Sequence, residues 1–498
     1  MSPIKSHLRL YTALITGLLI LIGLFHHEPI NPDGILYLQA ARTYMSDGLN
    51  ATLAIYNWPF YPILIAYTQK ITHFPLWLYS AHLLNLVLGM LFAASFVTLI
   101  QILTPQRSIH LFAALVIILY PELNRTAQYL SRDCGYWVFT LLALINLLRF
   151  SQSQRWSQAI LFGIFMFLAF LFRIEGILLW ALLPFSLFFN STSHHRLINF
   201  LKSQSILILL IVAGLLTCLI WHKNPSNVGQ LDRVTGQVLD FSHVWQIKWL
   251  TKVNAIENYV LTPLARDNAN TLLFGGSLFV FAYAFYRSLG LLYLILSLYG
   301  IKKRLISFSP PMQAIFIGFI LINFFILSFF AIQEQFLQVR YVVPLAIPFL
   351  CYVPFSLQRI FQHLSTATVW RYVAVTFIIL LGLTMLVGDV VHTGPSKIYI
   401  YDAGNYLRTL PPNTKIFSNS PQVMFYYADR VDAKHNIFDD DHLQALVKSH
   451  QLTNYNYLAL IAYHNETLPG WVNKFTQIKE FKNARGDRVI VFKLQSDQ

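Results

Sequence analysis

Five stretches of this chain set acids and arginines at spacings that suit acid–base and phosphate chemistry. HHEPINPDGILYLQAARTY, residues 26–44, places Asp33 just beyond the first long apolar run, with Tyr37 four residues on. SRDCGYW sets Arg132 beside Asp133, FRIEG sets Arg173 two residues before Glu175, Arg287 lies inside an apolar run, and QVRYVVP carries Arg340 ahead of Pro344. A carboxylate at a membrane edge is suited to take the proton of a hydroxyl as that hydroxyl attacks carbon. The planar fork of arginine is suited to bind and neutralise a phosphate leaving group. An ionised side chain within a span, as Arg287 would be, is costly in lipid and by default points to function.

The elements that must position these residues follow from composition. The chain has 498 residues, 56% hydrophobic and only 12% charged, more apolar side chain than a soluble protein could cover. Runs near the roughly 20 residues needed to cross a bilayer fall at 8–25, 76–103, 108–121, 134–150, 157–172, 174–190, 204–221, 277–300, 311–331, 341–357 and 372–388. The expected fold is therefore a polytopic α-helical membrane protein of about eleven transmembrane helices, the third, fifth and sixth being short. Lys5 and Arg9 precede the first run and no small-residue cleavage site follows it, so it reads as a retained signal anchor with a cytoplasmic N-terminus.

Charge orients the rest. Cytoplasmic loops carry the excess of Lys and Arg, and alternation from the N-terminus gives that side Lys5, Arg9, Arg107, Arg149, Arg155, Arg196, Lys202, Lys302, Lys303, Arg304, Arg359 and Arg371 with no acid. The opposite side receives all eleven acids of residues 1–388, Asp33, Asp133 and Glu175 among them. Residues 389–498 hold twelve Lys and Arg against eleven Asp and Glu, or +1, which leaves +13 of the net +14 in the membrane part. The basicity is topogenic and gives no support to nucleic-acid binding.

Two outer loops within residues 1–388 are long. The first, 26–75, carries NWPFYP with Tyr61 and suits interfacial helices with aromatics at headgroup level. The second, 222–276, carries Trp245, Lys248, Trp249 and Lys252 in a helical stretch. From 389 to 498 the composition is that of a small α/β domain on the outer side: helix, strand, helix over KIYIYDAGNYLRTLPPNTKIFSNSPQVMFYYADR, a buried strand in YNYLALIAYH and a hairpin around ARGD. DDDHLQALVKSH reads as a helix start with acids at its N-terminal dipole. Cys134, Cys218 and Cys351 are odd in number and far apart, which argues against disulfides or a metal site. His26 and His27 are adjacent and poorly placed to share one ion.

An outward carboxylate with several arginines and no nucleotide loop fits a donor that is a lipid-linked phosphate arriving from the bilayer. The order of PDG-x-x-Y, the Arg132–Asp133 pair, FRIEG, RYVVP and NTKIFSNSPQVMFYYADR resembles the superfamily C (GT-C) integral-membrane glycosyltransferases, in particular protein O-mannosyltransferases and lipid A aminoarabinose transferases. The resemblance implies an inverting transfer of a sugar from a polyprenyl-phosphate carrier to an acceptor hydroxyl or phosphate on the outer face of a bacterial inner membrane, with no cofactor and no required metal. The acceptor class, lipid, glycan or protein, stays open. It implies Asp33 and Asp133 as the catalytic acids, either of them the base. Arg340, Arg287, Arg132 and Arg173 would contact the donor phosphate, and Tyr37, Tyr61 and Glu175 the substrate. Gly34 after Asp33 departs from the Asp-Glu pair of the O-mannosyltransferases, and NWPFYP lacks the lysine of the aminoarabinose transferases. A surface polysaccharide polymerase or ligase would share the donor, and a lipid-linked sugar transporter would share the polytopic layout. The transporter would place its ionisable residues at mid-membrane.

Overall fold

The computed structural model describes residues 3–25, 29–189, 195–220, 241–364, 396–411, 414–428, 455–468 and 470–494, with scattered positions between 369 and 387. His26, His27 and DDDHLQALVKSH lie outside them. In chain order the helices are α1 (Pro3–Leu24), α2 (Pro32–Ile55), α3 (Phe60–Thr72), α4 (Trp77–Leu103), α5 (Arg107–Ile118), α6 (Pro121–Thr126), α7 (Asp133–Ser153), α8 (Trp156–Phe172), α9 (Gly176–Leu182) and α10 (Arg196–Ile220). There follow α11 (Phe241–Tyr259), α12 (Ala269–Lys302), α13 (Pro310–Glu334), α14 (Val343–Leu350), α15 (Tyr352–Leu364), α16 (Ile398–Arg408) and α17 (Pro421–Ala428).

Six helices are long and apolar enough to cross a membrane: His7–Leu24, Trp77–Leu103, Asp133–Ser153, Arg196–Thr217, Pro263–Lys302 and Pro310–Glu334. A seventh span is available if Val339–Leu350 and Tyr352–His363, bent by 44°, count as one; Pro348 inside α14 removes a helical hydrogen bond just before the bend. The three short expected runs are the apolar helices Arg107–Ile118, Trp156–Phe172 and Gly176–Phe189. The last expected run, 372–388, falls largely outside the described residues. Six or seven spans thus stand among the described residues, against the eleven read from sequence.

The chain divides into two compact units. The first comprises Met1–Leu19, Asn85–Ala127 and Arg132–Leu386. Helix α7 is buried on almost every side, whereas α10 exposes most of its apolar surface. Apolar side chains gain little from one another in lipid, so close approach depends on small residues. A Cβ on Gly135 of α7 would meet the ring of Phe172 at 2.2–2.4 Å, and one on Gly163 of α8 would meet Ile206 of α10 at 2.7 Å. Gln154, left-handed at φ 53°, turns the chain between α7 and α8 so that the two helices lie side by side.

The second unit comprises Ile20–Leu84, Gln128–Ser131 and Val387–Gln498. Its sheet has strands β1 (Ile416–Ser418), β2 (Tyr457–Ala462), β3 (Thr476–Lys482) and β4 (Arg488–Lys493) in the order β1-β2-β4-β3, with β1 parallel to β2 and the other pairs antiparallel. Alternation along the strands sends Ala459, Val489 and Val491 to the face covered by Tyr399, Ala403, Leu407 and Val423 of α16 and α17, and Leu458, Leu460, Ile490 and Phe492 to the other. Edge strand β3 carries Lys479, Glu480 and Lys482 on its exposed surface, as free edges commonly do. The ARGD turn expected between two strands is present: Asn483 Oδ1 accepts the N–H groups of Arg485, Gly486 and Asp487, and Gly486 sits at φ 99°. Hydrogen bonds from the Asn483 amide and from the His464 backbone N–H hold the Asp487 carboxyl below the usual carboxylate range.

Candidate active site

In the first unit, three segments far apart in sequence converge on a buried ion cluster. Asp133 opens α7, Arg173 and Glu175 occupy the turn between α8 and α9, and Arg340 sits in the 3-10 turn Val339–Val342. Arg173 Nη1 donates to Asp133 Oδ1 at 2.5 Å, while its Nη2 and Nε donate to Glu175 at 2.7 and 3.3 Å. Arg340 Nε lies 3.0 Å from the other oxygen, Oδ2, of Asp133. Arg173 is therefore bidentate to one carboxylate and shared with a second, and Asp133 is divided between two guanidinium groups.

Local sequence explains the convergence. Glycine at 135 lets the ring of Phe172 rest against the α7 backbone, which delivers the next residue, Arg173, to Asp133. Glycine at 176 lets α9 fold back so tightly that a Cβ there would meet the backbone of Phe170 at 2.8 Å. The FRIEG turn is closed by the Gly176 N–H donating to the Arg173 carbonyl at 3.0 Å. One helical turn beyond Asp133, Trp137 Nε1 donates to the Arg340 carbonyl at 3.1 Å. The Tyr341 ring covers the Arg173 guanidinium at 4.1 Å, a cation–π contact that strengthens when desolvated.

The electrostatics are those of a strong ion pair. Burial works against the charge of Glu175, yet Arg173, through its charge and its hydrogen bonds, outweighs burial and holds the carboxyl below its ordinary range, with Arg132 adding to the effect. Arg173 and Arg340 set two positive charges against two negative ones from Asp133 and Glu175. Exposure within the cluster is graded: the side chains of Asp133 and Arg173 are 4% and 8% exposed, those of Arg340 and Glu175 20% and 25%. Arg340 and Glu175 are the more exposed members of the ion-paired group.

Arg287 does not join this cluster. It lies exposed on α12, its Nη1 donating to Tyr283 one turn back at 3.2 Å, just before Gly290 interrupts the helix at φ 69°.

In the second unit, Asp33 occupies the first turn of α2, exposed, where an acid complements the helix dipole. Asn31 is the N-cap and Pro32 the first helical residue, a position where proline's fixed φ is pre-organised for helix. Tyr37, one turn beyond Asp33, packs edge-on against Tyr56 and Tyr61 at 5.3 and 5.1 Å. Tyr37 and Tyr61 are 5% and 1% exposed, so both serve to pin α2 to α3. Trp137, Tyr341 and Gly135 escaped the sequence reading. The i, i+4 spacing of Asp133 and Trp137 was the available signal, since it places both on one face of α7.

No protein-family model and no curated protein matches this chain. Among solved structures, the crystal structure of ArnT from Cupriavidus metallidurans bound to undecaprenyl phosphate matches with TM-score 0.52 and 14% identity over 100% of this chain and 99% of that one. The archaeal oligosaccharyltransferase AglB from Archaeoglobus fulgidus, in complex with an inhibitory peptide and a dolichol-phosphate, matches with TM-score 0.51 and 12% identity over 92% of this chain and 70% of that one. Both neighbours are members of the GT-C class, and this chain shares their fold.

Proposed function

We propose that the protein is an inverting membrane glycosyltransferase that moves a sugar from a polyprenyl-phosphate carrier to an acceptor hydroxyl or phosphate on the outer face of the membrane. The observation that carries the reading is the buried arginine–carboxylate cluster, with its partly exposed Arg340, in a fold shared with a protein bound to undecaprenyl phosphate. In the reaction the acceptor oxygen forms a bond to the anomeric carbon and the bond from that carbon to the phosphate oxygen breaks. The acceptor proton passes to a carboxylate, and the electron pair leaves with the polyprenyl phosphate.

Asp33 takes the proton. It is exposed, whereas Asp133 is buried. Arg340, with the charge of Arg132 behind it, neutralises the leaving phosphate. Asp133, Arg173 and Glu175 hold Arg340 and its turn in place. The acceptor side follows from the same chemistry: Asp33 activates any hydroxyl brought to it, so acceptor identity is set by what binds beside it.

Positioned general bases contribute about 10²–10⁴-fold. Asp33→Asn is therefore expected to lower turnover of a polyprenyl-phosphate sugar by that factor while leaving the thermal midpoint of the purified protein within a degree or two. Full turnover by Asp33→Asn would remove Asp33 from the mechanism.

A further inference from the structure

The residue three positions before Asp33 is held by the C-terminal domain. Ile30, 6% exposed, donates its backbone N–H to Tyr426 Oη at 2.9 Å and accepts Gln422 Nε2 on its carbonyl oxygen at 2.7 Å. Both main-chain polar groups of a buried residue are thereby satisfied by side chains almost 400 positions away. On its other flank, Asn31 uses its amide like a short strand: Nδ2 donates to the Leu130 carbonyl and Oδ1 accepts the Leu130 N–H, both at 3.0 Å. With its side chain committed there, Asn31 makes no side-chain cap bond to its own helix. The start of α2 is fixed from outside.

The neighbouring residues fit this arrangement. A Cβ on Gly34 would meet Asn31 Oδ1 at 2.8 Å and Leu130 Cβ at 2.9 Å, so the residue after Asp33 has to be small for the bracket to close. Pro32 locks the backbone between the held pair and Asp33. Tyr426 is itself fixed: a Cβ on Gly404 would meet Tyr426 Cβ at 2.4 Å, and its ring packs edge-on against Tyr401 at 5.1 Å. The grip therefore starts in the packed α16–α17 layer of the domain and ends at the first turn of α2.

We propose that Gln422 and Tyr426 are positioning residues for Asp33, so that the C-terminal domain, through the backbone of Ile30, sets the aim of the general base. This rests on the assignment of Asp33 as base. Misplacing a reacting group by about 1 Å can cost on the order of 100-fold in rate, and two hydrogen bonds to one residue are enough to govern such a shift.

The test uses the full-length protein with a polyprenyl-phosphate sugar donor. Gln422→Ala and Tyr426→Phe each remove one bond; Gln422→Lys keeps a donor at the Ile30 carbonyl. Asn419→Ala serves as a control for domain stability, because Asn419 makes a similar pair of bonds, to Ile461, wholly within the domain. Expected are faster hydrogen exchange of the Ile30 amide in Tyr426→Phe, which removes its acceptor, and a fall in kcat of about tenfold for each removal, with KM for the donor within about twofold. Gln422→Lys recovers most of the rate, and Asn419→Ala lowers the thermal midpoint without changing kcat. In Tyr426→Phe, faster exchange at Ile30 with kcat unchanged overturns the proposal, as does unchanged exchange. Loss of kcat in proportion to the thermal midpoint, with Asn419→Ala equally impaired, overturns it as well. If Asp33→Asn is fully active, the proposal falls through the reading it rests on, and the exchange arm then shows separately whether the bonds exist.

Discussion

Asp133 is buried and gives each carboxylate oxygen to a different guanidinium, whereas Asp33 is exposed. A buried charge left without its partner is strongly unfavourable, and breaking such a pair by removing one member costs roughly 3–5 kcal/mol. Asp133→Asn would remove the carboxylate that Arg173 and Arg340 share. It is expected to lower the thermal midpoint in detergent and to weaken donor use together, in contrast to Asp33→Asn, which acts on rate alone. A midpoint for Asp133→Asn equal to that of the unmodified protein would contradict the assignment of a structural ion pair. The sequence put Asp133, Arg173, Glu175 and Arg340 on one membrane face because charge asymmetry is legible in composition. It left open what Asp133 pairs with, since the 40-residue separation of Asp133 and Arg173 is bridged only by helix packing. Arg287 shows the limit of the same reading: it falls inside an apolar run, but it sits on an exposed face of α12 beside Tyr283.

At the scale of elements, the site depends on how closely α7 and α8 approach. Gly135 sets that distance, and any side chain there has to displace the Phe172 ring that it would meet at 2.2 Å. Overpacking of this kind costs about 1–3 kcal/mol, and here the strain falls one residue from Arg173. Gly135→Ala is expected to destabilise the protein by that amount and to raise KM for the donor. Adding Phe172→Leu should relieve part of both, and a double variant no better than the single one would show that the strain lies elsewhere. The helices themselves were readable from apolar runs near the length of a bilayer, and the C-terminal strands from their alternation. The contact between Gly135 and Phe172 was not, because a glycine in a span has the same appearance in sequence whether it faces lipid or a neighbouring ring. The bent pair Val339–Leu350 and Tyr352–His363 was read as one span for a related reason: Pro348 within an apolar run marks a kink without giving its angle.

For the whole molecule, the charge distribution carries a statement about orientation that the fold by itself does not make. The segments assigned to the cytoplasm hold twelve Lys and Arg and no acid, while all eleven acids of residues 1–388 fall on the other side. On that asymmetry of acids we expect Asp33 and the C-terminal domain to face outward, where a lipid-linked donor and an extracytoplasmic acceptor would meet. In a cysteine-free background, Lys303→Cys, exposed at the end of α12, and Gln477→Cys, exposed on edge strand β3, report the two sides. A membrane-impermeant maleimide applied to intact cells, or to spheroplasts where an outer membrane is present, is expected to label position 477 and to spare position 303 until the membrane is opened. The reverse pattern would place the base on the cytoplasmic side and exclude an outward-facing acceptor. Labelling of both positions in sealed cells would mean that the charge asymmetry does not set the topology, since no insertion obeying it exposes the loop at 302–304 with the strand at 476–482.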